Sequence, residues 1–263
     1  MDLFSFPPVA ATLGAAYALV EGLAALFDPV AGTASAAVAI IALTLIVRAA
    51  LIPVGISQVK AEWARRRLAP RLQALQRKHK KNPHVLQEKT LALYRAEKTS
   101  PFAGMLPTLA QAPVLSLVYA LFLRTTIDGH ANALLSEHLF GVPLGTSFVH
   151  LVSTGPDVSG IAVYGVLFAT MAMTAWLSRR TAQRLALPHQ STDAAAPLAG
   201  LAGILSWLPF ITVVFAAFVP LAAALYLVTT TAWTLIERAV LRRRYWGESG
   251  PAASARPAVL GPQ

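Results

Sequence analysis

Residues Thr33 to Ser57 read TASAAVAIIALTLIVRAALIPVGIS, a run in which Arg48 is the single charge. A helix rises 1.5 Å per residue, so about 20 apolar residues cross a hydrocarbon core of ~30 Å, and this run is long enough to span. Comparable runs follow over Leu106–Thr125, Val158–Leu177, Leu198–Ala217 and Phe218–Glu237, the last two joined through Val219 and Pro220. Composition agrees: 56% of the 263 residues are hydrophobic and 13% charged, against roughly 25% charged in soluble domains, and the mean hydropathy is +0.57. These values exclude a water-soluble enzyme domain with one buried core, a fibre and a disordered chain. The absence of cysteine excludes disulfides, thiolate zinc sites, Fe–S ligation and cysteine nucleophiles.

The fold class is therefore all-α, a polytopic membrane protein of five spans. Ahead of them, Val9–Phe27 is thin in large apolar residues and carries Glu21, while Val9, Leu13, Tyr17, Val20 and Phe27 share one helical stripe. That pattern predicts an interfacial helix in preference to a sixth span. The opening MDLFSFPP lacks the basic region of a cleavable signal, so the first residues are expected to stay.

Lys and Arg in short loops stay on the cytoplasmic side. Of the 22 here, twelve lie between Lys60 and Lys98, three (Arg179, Arg180, Arg184) follow the third span and five (Arg238, Arg242, Arg243, Arg244, Arg256) follow the fifth. The remaining two are Arg48 and Arg124. Residues 1–33, the loop Thr126–Asp157 and the Val219 turn have none. One topology fits, with the N-terminus outside and the C-terminus inside. The expected order is an external segment with its interfacial helix (1–32), a first span (33–57), a cytoplasmic basic hairpin (58–105), a second span (106–125), an external loop (126–157), a third span (158–177), a cytoplasmic loop (178–197), a fourth (198–217) and fifth span (218–237), and a cytoplasmic tail (238–263). The formal net charge of +10 is then a collar at the inner face and not a footprint for sequence-specific nucleic-acid binding. Lipid headgroups and ribosomal RNA remain within its reach, because attraction to phosphate needs only charge.

Within the hairpin, Leu68, Leu72 and Leu75 keep helical spacing from about Gln58 to His79. Asn82-Pro83 interrupts, and Leu86, Leu93 and Tyr94 continue a second helix to about Lys98. Arg65, Arg66, Arg67, Arg71, Arg77, Lys78, Lys80 and Lys81 are its candidate contact residues.

An arginine at membrane depth is costly and usually faces protein or water. Arg48 lies nine residues before Ser57, about 13 Å from the inner end at helical rise, which is deep for a snorkelling side chain. It is read as lining a wet cavity, with Thr44 one turn earlier on the same face. Candidates for the other walls are Thr108 and Gln111, Thr170 and Thr174, Ser206 and Thr212, and Tyr226, Thr229, Thr230 and Thr231. No acidic residue lies at comparable depth, so Arg48 would attract an incoming anionic or polar segment. Glu237 is expected to pair with Arg238 or with headgroups. The six histidines show no zinc spacing, and no GxSxG, Walker A or HExxH motif occurs. The reading is a non-enzyme without metal or cofactor. Alternatives are a small anion transporter or channel using Arg48, which the lack of an internal repeat makes less attractive, and a membrane scaffold with no groove.

Four stretches in this order carry a resemblance: TLIVRAALIPVGISQ (Thr44–Gln58), LAPRLQALQRKHKKNP (Leu68–Pro83), SPFAGMLPTLAQAPVLSLVYALF (Ser100–Phe122) and FVPLAAALYLVTTTAWTLIE (Phe218–Glu237). Over roughly Val9–Arg244 the chain resembles the YidC/Oxa/Alb family of membrane protein insertases, and the family's arginine falls on Arg48. Met105 stands where cysteine is common, Leu227 where a second aromatic follows the tyrosine, Thr230 and Thr231 where asparagines are usual, and Glu237 in place of glutamine. After Pro220, Leu221-Ala222 replace Ala-Gly. The resemblance implies a five-span insertase core in a bacterial inner membrane. It implies insertion of nascent membrane proteins through a hydrophilic groove open to cytosol and lipid, without ATP. It also implies the Sec translocon, the signal recognition particle pathway and the ribosome as partners beside the bilayer. The groove residues would be Arg48, Thr44, Thr108, Gln111, Thr212, Tyr226 and Thr230.

Overall fold

The computed structural model describes residues 7–100, 116, 120–127, 130–155, 157–185 and 207–247. The chain there is mostly helical. Helix α1 spans Pro7–Ala31, α2 Ser35–Ala50, α3 Ile52–Lys78, α4 Pro83–Ala96, α5 Phe148–Thr154, α6 Val158–Leu185, α7 Leu208–Ala216 and α8 Leu221–Gly247. Two short antiparallel ribbons pair β1 (Thr126–Ile127) with β2 (His130–Ala131) and β3 (His138–Leu139) with β4 (Val142–Pro143). Among the described residues, the stretches Ala10–Ala50 and Val158–Leu185 are long and apolar enough to cross a membrane. Most of the expected second span and the first half of the expected fourth lie outside the described residues.

The chain divides into two compact units, Met1–Ala50 with Ala112–Leu235, and Leu51–Gln111 with Ile236–Gln263. In the first, α1 packs against α2, and Gly32 turns the chain between them at φ +51°, a conformation that glycine adopts without a Cβ penalty. Leu13 and Val20 of α1 are buried with Ala36, Ala37, Ala39, Ile40 and Leu43 of α2. Tyr17, also packed on this core, accepts a hydrogen bond at its hydroxyl from the Ala133 N–H, 3.2 Å away.

The loop over 126–157 has more structure than its turn-rich sequence suggests. Ile127, Leu134, Val142 and Leu144 enter the same core as Tyr164, Leu167 and Met171 of α6 and Leu221–Leu225 of α8. Main-chain bonds join it to the α7–α8 turn: Val149 N–H to Ala217 O (3.1 Å), Leu221 N–H to Thr146 O (2.9 Å) and Ala222 N–H to Leu144 O (2.9 Å). The Asn132 amide donates to the carbonyls of Leu121 and Arg124, both at 2.9 Å, and the Tyr164 hydroxyl to that of Thr146 at 2.7 Å. At the start of α6, the Asp157 carboxylate accepts from the Ser159 hydroxyl and from the Gly160 N–H. These two donors, Ser159 foremost, hold its pKa below the ordinary carboxylate value.

The stretch Thr33–Ser57 is interrupted at Leu51 (φ −89°, ψ 2°), with Pro53 in the first turn of α3. Proline has no N–H to donate, and its ring crowds the carbonyl four residues earlier, so it suits a helix start and not an interior. In the second unit, Asn82 caps α4 by accepting from the Val85 N–H at 3.3 Å. Leu68 is buried, and Leu72, Leu75, Leu86, Leu93 and Tyr94 are half-buried.

Candidate functional site

The threonines of the first unit mostly satisfy their own hydroxyl hydrogens within the helix. Thr44 donates to Ile40 O at 2.7 Å, Thr170 to Val166 O at 2.8 Å, Thr174 to Met171 O at 2.8 Å and Thr229 to Leu225 O at 2.7 Å. Thr231 donates to Leu227 O and Val228 O at 2.9 and 3.0 Å. Back-bonding of this kind lets a hydroxyl sit in an apolar helix without an orphaned donor. Thr230 differs from both its neighbours, since its oxygen accepts from Arg48 Nε at 3.4 Å. That length exceeds the usual range of about 2.7–3.2 Å, so the hold is loose. A guanidinium has five N–H donors, and among the described residues Thr230 is the one hydrogen-bond partner of Arg48. No carboxylate pairs with Arg48 there either. The arginine is half-buried and Thr230 buried.

The other expected groove residues are placed as follows. Thr44, one turn before Arg48, is 2% exposed and faces the core. Tyr226, one turn before Thr230, is buried, with its ring tilted against Phe122 at 6.2 Å between centroids. Thr212 lines a separate recess of about 60 Å³ with Thr174, Ser178 and Thr231. The described polar residues thus fall into two groups, because Thr230 and Thr231 point about 100° apart around α8. Thr108 and Gln111 lie outside the described residues.

In the second unit, arginines converge on carboxylates. Glu97, just past α4, accepts from Arg67 and from Arg71, the latter at 2.5 Å. Glu62 accepts from Arg66 at 3.2 Å and from Arg242 of α8 at 3.1 Å. Arg67 also stacks over Trp63, and Lys60 over Tyr245, at 5.0 and 5.1 Å. Arg65 and Arg77 are exposed and have contacts of their own. Lys78, Lys80 and Lys81 are exposed and make no ion pair among the described residues. Sequence reading missed Glu62 and Glu97 as organisers of the basic helices. The available signal was the i, i+4 spacing of Glu62 with Arg66 and of Arg67 with Arg71. The Glu237 carboxylate lies against Gly55 of α3, where a Cβ would collide with it.

A sequence model of the family described as 60Kd inner membrane protein matches residues 27–248. The chain belongs to the YidC/Oxa/Alb insertase family. The chain is 30% identical over 191 residues to a membrane protein insertase YidC of Zymomonas mobilis, covering 71% of this chain and 30% of that one. It is 25% identical over 233 residues to YidC of Streptomyces avermitilis (84% and 54%). With the chloroplast inner membrane protein ALBINO3 of Arabidopsis thaliana it shares 28% over 238 residues (86% and 49%). The chain thus spans between about a third and a half of the length of these YidC/Alb relatives.

Proposed function

We propose that this protein inserts nascent membrane proteins into the lipid bilayer through a hydrophilic groove that holds Arg48 and opens to cytosol and lipid. The observation that carries the reading is a half-buried arginine, in the last turn of the apolar helix α2, whose described hydrogen bond is a loose one to a hydroxyl. A buried arginine with a carboxylate partner is a structural pair; one without keeps its donors available to a passing acceptor. Arg48 would hold acidic or backbone groups of a substrate's hydrophilic stretch for as long as the adjoining apolar segment takes to enter lipid. Burial of about 20 apolar residues supplies the driving force. Thr230 holds the arginine, and Thr44, Thr108, Gln111, Thr212 and Tyr226 are the further groove residues that this reading names.

On this reading the protein has five spans in a bacterial inner membrane, its N-terminus outside and C-terminus inside, with α1 lying in the outer interface. The α3–α4 segment, rich in Lys and Arg, meets the nascent chain or its delivery partner, and the Sec translocon, the signal recognition particle pathway and the ribosome are the partners to test. The experiment is a reconstituted insertion assay with full-length protein in proteoliposomes and a single-span substrate bearing a charged N-terminal tail. Photocrosslinks from positions flanking Arg48 to the substrate, together with impaired insertion by Arg48→Ala, support the groove. Full activity of Arg48→Ala with no crosslinks would sink it, and anion flux through the purified protein would favour a transporter.

A further inference from the structure

A recess of about 410 Å³ lies beside the N-terminal half of α6, walled by Val163, Val166 and Leu167 of that helix, Leu225 and Val228 of α8, and the β3–β4 turn. The hydroxyl hydrogens at its edge are committed elsewhere, Ser159 to Asp157 and Thr170 to Val166 O. Water is left with hydroxyl oxygens at the edge and no free donor among the lining residues, too few partners to hold it, and an apolar hollow either stays dry or takes an apolar guest. Left empty, it would forfeit the dispersion contacts of its walls.

The turn over this recess is unusual. Phe140 and Gly141 both have positive φ, +50° and +86°, the backbone of a tight hairpin turn in which Asn-Gly is the preferred pair. An aromatic residue in that conformation is strained, and Phe140 is also 72% exposed. Strain together with exposure of a large ring makes sense where the ring meets apolar material. The neighbouring surface of α6 is apolar too, with Val158, Ile161 and Val166 all exposed.

We propose that this recess holds one acyl chain of a phospholipid in the outer leaflet, with Phe140 lying over it. A transmembrane helix is roughly 10–12 Å across and would use up 410 Å³ in about one turn, so it would touch the rim and not enter. A thin flexible chain enters, and the bilayer supplies it. The inference rests on the membrane topology proposed above but not on the insertase activity.

The test uses full-length protein in nanodiscs containing phosphatidylcholine with a diazirine midway along one acyl chain. After photolysis, adducts should concentrate in 159–170 and 225–228, above those at the exposed Ile211 and Val214 of α7. Val163→Trp fills the recess, and displacing two or more methylenes should lower those adducts by about ten-fold while leaving Ile211 and Val214 unchanged. Ala162→Leu provides a milder filling should the tryptophan variant not fold. Even labelling across all lipid-exposed residues, unchanged adducts in both filled variants, or a second polypeptide crosslinked at the recess would each overturn the proposal. Labelling of Phe140→Cys by a thiol reagent confined to the cytoplasmic side would instead refute the topology, and the insertion assay reports separately on activity.

Discussion

Arg48 and the arginines around α3 and α4 are held in opposite ways. Around α3 and α4, Arg67 and Arg71 meet Glu97, and Arg66 and Arg242 meet Glu62. In the first unit, Arg48 meets a hydroxyl at 3.4 Å. Where a carboxylate is supplied, the guanidinium fastens helices together; where none is supplied among the described residues, its donors stay open to another acceptor. Burial alone does not set the difference, since Arg66 and Arg242 are half-buried like Arg48 and both have a carboxylate.

The largest effect should come from removing the unpaired charge. A charge-assisted hydrogen bond is worth roughly 1.5–3 kcal/mol, so Arg48→Ala should slow insertion of a tailed single-span substrate by about ten- to a hundred-fold. Its thermal midpoint should change little, and a large fall there would mean that Arg48 is structural after all. The contrast is broken most directly by Thr230→Asp, which gives Arg48 the acid it lacks. Insertion should fall by about ten-fold although the arginine remains, whereas Thr230→Val should cost less than about three-fold. Wild-type rates with the aspartate in place would show that pairing is irrelevant.

In the other unit the effects should be smaller. Arg67 and Arg71 are more than half exposed in their side chains, and exposed pairs contribute about 0.2–1 kcal/mol each. Glu97→Gln should therefore raise amide exchange in α4 without unfolding the protein, and unchanged exchange there would remove the clasp from the account. The smallest effect concerns Asp157. Its folded-state pKa lies below the ordinary value, so its stabilising contribution is present above the unfolded pKa and is lost as pH falls through the folded one. A thermal midpoint followed from neutral to acid pH should decline less in Asp157→Asn than in the parent, and parallel curves would contradict the capping role.

Much of this was legible in the amino-acid order because lipid imposes a coarse demand that composition meets openly. Helical content and family could be read from the apolar runs and from the four stretches around Arg48, Leu68, Gln111 and Tyr226. Other features depend on pairings across long separations. Nothing local to Glu62 announces Arg242, 180 residues away, and nothing near Thr230 distinguishes it from Thr229 and Thr231 until Arg48 is placed beside it. For the polar residues at membrane depth, sequence position gives depth and azimuth on each helix, but not how one helix is turned towards the next. The loop over 126–157 was the least readable, since its core residues are spaced irregularly and its order comes from main-chain bonds that carry no side-chain signature.

Those main-chain bonds have an evolutionary corollary. Val149, Leu221 and Ala222 donate through their peptide nitrogens, so nineteen of the twenty amino acids can occupy each position and still provide the donor, proline alone lacking it. The fastening itself therefore bars proline alone, while burial of the Leu221 and Ala222 side chains limits those two positions further.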